Sequence, residues 1–227
     1  MKILSLDTST PRGSVALLEG RVLTAELRVL SLETHSARLL SSVDVLLRNA
    51  GWNLADLGLV VAGIGPGSFT GIRIGVATAM GLAQTLSIPF AGISNLDALA
   101  HQAAGIDGRI GVVMDAQRSQ LYFSEYLSNH GKIRHLGKPK LMYPSDLRRY
   151  LRGSRLYLIG DGVVRYAHEL KLPSAGWPRL VEVDLFLAAA LGRLALGCKR
   201  SWRSGEFLQS EPLYIRPPDA LGQKARR

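Results

Sequence analysis

The segment Gly63-Ile64-Gly65-Pro66-Gly67-Ser68-Phe69-Thr70-Gly71 constrains this chain more than any other stretch. It follows an apolar run, Leu57 to Ala62, that reads as a buried strand, and it precedes a helical pattern from Ile72 to Leu86. A glycine-rich turn between a strand and a helix gathers backbone N–H groups at a helix N-terminus, a natural site for an anion. Ser68 or Thr70 is placed to cap that helix through its side-chain oxygen. No Gly-Lys-Ser/Thr closes the loop, so it is not a Walker A motif. Phe69 and Thr70 push the next glycine to position 71, outside the register of a dinucleotide fold.

Between Leu57 and Leu96 the only charged residue is Arg73. A surface α/β segment of that length normally carries several charges, so this one is expected to be covered on more than one side. Gly71, Gly75, Ala79 and Ala83 recur every fourth residue as a small-residue stripe, and Ile72, Val76 and Met80 form an apolar stripe beside it. Close packing inside one domain accounts for such stripes. The near-absence of charge points instead to a protein–protein face.

The single cysteine, Cys198, excludes a disulfide framework and suits a reducing compartment. No signal-peptide pattern opens the sequence and no apolar run is long enough to span a bilayer, so a cytoplasmic location is expected. The formal net charge of +10 favours polyanionic partners. Its excess is scattered or terminal, at Arg148, Arg149 and Arg152, at Lys199, Arg200 and Arg203, and at Lys224, Arg226 and Arg227, with no recognition helix or aromatic-rich RNA-binding signature beside it. Solvated basic faces and a tRNA-binding tail both fit that distribution.

Taken in order, Ile3 to Leu6 reads as a strand ending at Asp7, with strands at Ser14 to Leu18 and Val22 to Val29. An amphipathic helix is expected over Thr34 to Asn49, its apolar face formed by Leu39, Leu40, Val43, Leu46 and Leu47, and closed by Gly51. After the glycine loop and its helix come a strand at Phe90 to Ile93 and a helix from Asn95 to about Ala104. The order then repeats. Ile110 to Met114 ends at Asp115, and a hairpin turns at Asn129-His130-Gly131. Ser145-Asp146-Leu147 caps a short helix, and Leu156 to Ile159 leads into Gly160-Asp161-Gly162. Helices follow at Val163 to Leu170 and Leu185 to Cys198. Two βββαβα lobes with mixed sheets covered by helices, divided as 1–105 and 106–227, describe an α/β, actin-like (ASKHA) fold.

Five stretches carry a family resemblance: Ile-Leu-Ser-Leu-Asp-Thr-Ser-Thr at 3–10, the glycine run through Arg73, Gly-Ile-Ser-Asn-Leu-Asp-Ala-Leu-Ala at 92–100, Met-Asp-Ala-Gln-Arg-Ser-Gln-Leu-Tyr at 114–122 and Glu-Pro-Leu-Tyr-Ile-Arg at 211–216. Together they resemble the TsaB (YeaZ) family over nearly the whole chain. The resemblance implies a non-catalytic partner of TsaD, the transferase that places threonylcarbamoyl on the tRNA adenosine 3′ of the anticodon. A TsaE-like ATPase and the adenylate-forming TsaC complete that pathway. It further implies a homodimer when the chain is alone, a heterodimer with TsaD, no cofactor of its own, and ATP or ADP at a complex interface. On the same grounds His35, Leu39, Val43, Gly71, Arg73, Gly75, Val76, Ala79 and Met80 are the interface candidates.

For chemistry within the chain, Asp7, Gly65, Gly67, Ser68 and Asp161 form the candidate phosphate-binding set, the basis of an alternative reading as a small actin-like ATPase or phosphotransferase. Asp7 is also placed to cap the turn from Thr8 to Gly13 through its side chain. No two of the five histidines have metal-binding helical spacing, so no metal site is expected. Ser68 is not in a Gly-x-Ser-x-Gly elbow, and no catalytic residue is predicted.

Overall fold

The computed structural model describes residues 1–30, 38–173, 176–197, 207–208 and 211–215. The chain divides into two compact units, one of Met1–Ala98 with Phe186–Leu213, the other of Leu99–Leu185 with Tyr214.

In the first unit, β1 (Lys2–Asp7), β2 (Arg12–Glu19) and β3 (Val22–Leu30) form an antiparallel meander. On the other side of β1 lie β4 (Leu57–Gly63), β5 (Phe90–Ile93) and β12 (Phe207–Leu208), all parallel, giving the order β12-β5-β4-β1-β2-β3. β1 and β4 are buried on both faces, which is why their sequences are nearly continuous apolar runs. Leu4, Leu6, Val15 and Leu17 project to one face, where α1 (Leu39–Ala50) and α2 (Phe69–Leu86) pack on them. Leu39, Val43, Leu46 and Leu47 are buried as expected, but Leu40 is 58% exposed. At one residue past Leu39 it lies about 100° around the helix, off the core-facing stripe. Gly51 ends α1 in the left-handed conformation (φ 65°) and donates its N–H to Arg48 O. The expected start of this helix, Thr34 to residue 37, lies outside the described residues.

The opposite face of this sheet is covered by α7 (Ala188–Gly197). A Cβ at Gly192 would meet Leu18 Cδ1 at 2.5 Å, so glycine lets the helix lie against the sheet without displacing that side chain. The Ala188 N–H donates to Ser14 Oγ at 3.0 Å. Here the arrangement departs from a division at 105/106. The last helix belongs with the first sheet because one face of that sheet would otherwise be bare.

In the second unit, β6 (Gly108–Asp115), β7 (Leu121–Asn129) and β8 (Lys132–His135) repeat the meander. The β7–β8 turn has positive φ at both His130 and Gly131, the two-residue hairpin geometry that matches strand twist. β10 (Leu156–Ile159) and β11 (Arg179–Leu180) add in parallel on the far side of β6, and β9 (Lys140–Met142) pairs with β7. The order β11-β10-β6-β7-β8 repeats β5-β4-β1-β2-β3. The internal echo read from the sequence is therefore a repeated topology. α3 (Asn95–Gln102) carries the chain out of the first unit, and α4 (Pro144–Leu151), α5 (Asp161–Arg165) and α6 (Ala167–Leu170) pack around the second core. α4 starts one residue before the expected Ser145, with Pro144 in the first turn, where its missing N–H costs nothing. The helix expected over Val163 to Leu170 is two short pieces broken at Tyr166.

Candidate functional site

The glycine loop of the first unit is locked by its own chain. Ser68 caps α2, its Oγ accepting from Gly71 N at 3.2 Å, and the helix starts at Phe69 rather than Ile72. The Ser68 N–H donates to Ser9 O at 2.7 Å, the Gly65 N–H to Asn95 Oδ1 at 2.8 Å and the Ile72 N–H to Ser68 O at 2.9 Å. A Cβ at Gly67 would lie 2.4 Å from Ser9 O, so the space beside this glycine is filled by the β1–β2 turn. From the other direction Leu213 donates its N–H to Ile64 O at 2.8 Å, and its carbonyl would stand 3.2 Å from a Cβ on Gly65 (φ 106°). The Glu-Pro-Leu-Tyr stretch is thus a strap across the loop.

Asp7, 1% exposed, and Asn95, fully buried, lie at the centre. Asp7 Oδ1 accepts from Ser9 N at 3.1 Å, the turn-capping role its position suggested, and from Asn95 Nδ2 at 3.0 Å. Asn95 Nδ2 also donates to Ser9 Oγ at 2.8 Å, and its backbone N–H to Gly65 O at 2.8 Å. Gly63 makes this meeting sterically possible, since a Cβ there would fall 2.8 Å from Asn95 Oδ1 and 3.0 Å from Asp7 Oδ1. Three distant segments are tied by one amide side chain. Asn95 and Ser9 were not among the sequence-derived site residues. Their only signal was a polar pair lying in two of the stretches that carry the family resemblance.

The second unit repeats the device with different chemistry. Asp115 Oδ1 accepts from Gln117 N at 2.9 Å, again two residues on, and from the Tyr166 hydroxyl at 2.9 Å. Arg165 Nε lies 3.2 Å from Asp115 Oδ2. Asp161 Oδ1 accepts from Asp115 N at 3.1 Å, so this candidate phosphate-binding residue ties the start of α5 to the end of β6. A Cβ at Gly160 would come 2.2 Å from Val113 O. Burial, then the bond to Asp115, pushes the Tyr166 phenol above its ordinary pKa. A second polar cluster joins Arg109 Nε and the Tyr150 hydroxyl to the buried Glu125 carboxylate, each at 2.5 Å. The bond to Glu125, then burial, raises the Tyr150 phenol as well.

The interface candidates separate into two groups. Leu39, Val43, Gly71, Gly75, Val76 and Ala79 are buried in the first core. The small-residue stripe admits Thr8: a Cβ would meet Thr8 O at 2.1 Å from Gly71 and Thr8 Oγ1 at 2.5 Å from Gly75. These six therefore serve packing within the unit. Arg73 is exposed, its guanidinium 3.8 Å from the ring centroid of Phe69, and Met80 is half-buried. His35 lies outside the described residues, as do Cys198 and the basic positions from 199 to 203 and 224 to 227. Among the described residues no group of three or more His, Cys, Asp and Glu side chains could hold a metal ion, and no helix is long and apolar enough to cross a membrane.

Two mixed sheets with repeated topology, each opening on a meander whose first strand ends in an aspartate, define an actin-like (ASKHA) α/β fold. Residues 30–179 match the family described as TsaD: tRNA N6-adenosine threonylcarbamoyltransferase. The chain is 31% identical to the tRNA threonylcarbamoyladenosine biosynthesis protein TsaB of Haemophilus influenzae, covering 95% of this chain and 94% of that one. It is 36% identical to TsaB of Escherichia coli, with 95% of each chain covered. The solved structure of YeaZ from Pseudomonas aeruginosa superimposes with a TM-score of 0.76 at 28% identity, over 94% of this chain and 99% of that one. The chain belongs to the TsaB (YeaZ) family.

Proposed function

We propose that this chain acts in tRNA threonylcarbamoyladenosine biosynthesis as a non-catalytic subunit that binds and activates a TsaD-like transferase, with a TsaE-like ATPase joining the same assembly. Membership of the TsaB family supports the pathway. The observation that carries the accessory role is the closed glycine loop. Its amides at Gly65 and Ser68 are donated to Asn95 Oδ1 and Ser9 O, the first-turn amide of Gly71 goes to Ser68 Oγ, and the Ser9 carbonyl fills the space beside Gly67, where a phosphate would approach. A loop built to hold nucleotide leaves such donors for its ligand. Here they brace the base of α2.

What that bracing presents is a helix surface with little charge. Phe69, Thr70, Arg73, Ala77 and Gly81 are exposed on α2, and Leu40 is exposed on α1. Small side chains along an exposed helix let a partner helix approach closely, while the Phe69–Arg73 stack offers one aromatic and one charged anchor. The same face pairs two copies of the chain as an isologous dimer when the transferase is absent. Nucleotide then belongs to the assembly, as ATP or ADP at a complex interface, and the chain works in the cytoplasm.

Light scattering on the protein alone and mixed with its host's TsaD-like protein, with and without ATP, tests the reading. A dimer that converts to a mixed complex is expected. Arg73→Glu with Ala77→Asp, both at exposed positions, should weaken that complex by at least tenfold while leaving the melting temperature within a few degrees. Indifference to the transferase, or threonylcarbamoyl transfer by the isolated chain, overturns it.

A further inference from the structure

The arginine cluster at 148–152 acquires a shape in the second unit. A cavity of about 440 Å³ opens between α4, α6 and the β6–β7 turn. Arg148 and Arg149, in the last turn of α4, line it together with Arg152, the residue just past the helix end, while Tyr143 and Ser145 supply the wall at the start of the helix. Tyr166 and Glu169 close the far side and Ser119 the rim. Ser119 ends three consecutive non-glycine residues in left-handed conformation, Gln117 (φ 60°), Arg118 (φ 53°) and Ser119 (φ 56°). Non-glycine residues adopt this conformation at a steric cost, and strain of that kind collects at binding sites. Of the three arginines, Arg149 pairs with Asp146 at 3.6 Å, whereas Arg148 and Arg152 have no ion-pair partner among the described residues.

We propose that this cavity is a phosphate subsite for RNA. Arg148 and Arg152 would straddle a backbone phosphate, the pairing that guanidinium groups make best. The exposed Tyr143 ring offers a face on which an adjacent base stacks. Glu169 argues against a bare polyphosphate, since its carboxylate would repel a second phosphate at close range. It suits a ribose, whose 2′-hydroxyl would donate to it, and this favours RNA over DNA. The proposal adds to the role given above a surface by which this chain itself meets tRNA. It differs from the basic positions beyond residue 198 that the sequence singled out.

The test is binding of a labelled tRNA transcript to the full-length protein, followed by anisotropy across a salt series. Arg148→Gln with Arg152→Gln should lower affinity by on the order of tenfold per lost contact near about 50 mM salt, and reduce the slope of log K against log salt by about 1.5 in total. Arg148→Lys with Arg152→Lys should retain most of that slope, because the charges remain. Tyr143→Ala should weaken binding without changing the slope. Unchanged affinity and slope in the glutamine variant overturn the proposal, as does equal loss for a DNA strand of the same sequence. So does loss confined to free ADP, which would make the cavity a nucleotide pocket. The glutamine variant is also mixed with the TsaD-like protein. If the mixed complex forms while tRNA binding is unaffected by the substitutions, the subsite fails and the accessory role stands. If the wild-type chain forms no complex, it is the accessory role that fails.

Discussion

Asn95 replaces what would otherwise be two buried liabilities with one network. Asp7 is a carboxylate at 1% exposure, and Gly65 carries an amide N–H in a loop with no helix or strand partner. One side-chain amide offers a donor to the first and an acceptor to the second, with its other donor hydrogen on Ser9 Oγ. Truncation would leave the Gly65 N–H unsatisfied and take a donor from a buried carboxylate, each worth about 1–3 kcal/mol. Asn95→Ala should therefore lower stability by about 3 kcal/mol, read from the midpoint of urea unfolding. A loss below about 1 kcal/mol would show that water replaces the amide. This network also marks the limit of what single residues disclose. Asp7 as a turn cap was legible, because its acceptor serves a backbone N–H two residues on. Its bond to a residue 88 positions away was not.

At the scale of elements, α2 shows one residue type under opposite constraints. Gly71 and Gly81 both lie inside the helix, where glycine costs up to about 1 kcal/mol relative to alanine. A Cβ at Gly81 meets nothing within 4 Å, whereas one at Gly71 would lie 2.1 Å from the Thr8 carbonyl. Gly81→Ala should accordingly stabilise the protein by about 0.5–1 kcal/mol, and Gly71→Ala should destabilise it by about 1–3 kcal/mol. Paired chemical denaturation curves check both signs at once. The recurrence of small residues every four positions revealed that α2 packs closely against something, and the near-absence of charge suggested a partner protein. The stripe's neighbour is the chain's own β1–β2 turn, since periodicity reports the closeness of an approach and not its source. Strands such as β4 and β5 were legible as apolar runs. β9, β11 and β12, two or three residues each, lack the length to show a period, and their pairing is decided by the sheet edge they meet.

At the scale of the molecule, the repeated order of elements invites a cut between two halves, and the packing opposes it. Ile3, Leu18, Leu59 and Val61 alternate away from the core formed with α1 and α2, yet each is fully buried. The cover on that side is α7, more than eighty residues beyond the end of the first half, with Leu191 and Ala195 of the helix, and Leu187 just before it, buried. Each large apolar side chain uncovered costs about 1.5–3 kcal/mol, so baring four of them at once approaches the whole stability of a domain this size. A chain ending at residue 105 should thus keep strand-rich far-UV dichroism but lose near-UV signal and bind a hydrophobic dye. Joining residues 186–213 to it through a flexible linker should restore cooperative unfolding, because that segment supplies α7, the edge strand β12 and the Leu213 strap on the glycine loop. Cooperative folding of the 105-residue fragment alone would mean that the first sheet needs no cover. Failure of the joined chain would mean that the second unit is required for the first to form. The repeat sets the order of strands within each sheet, while the last helix returns to finish the sheet where the chain began.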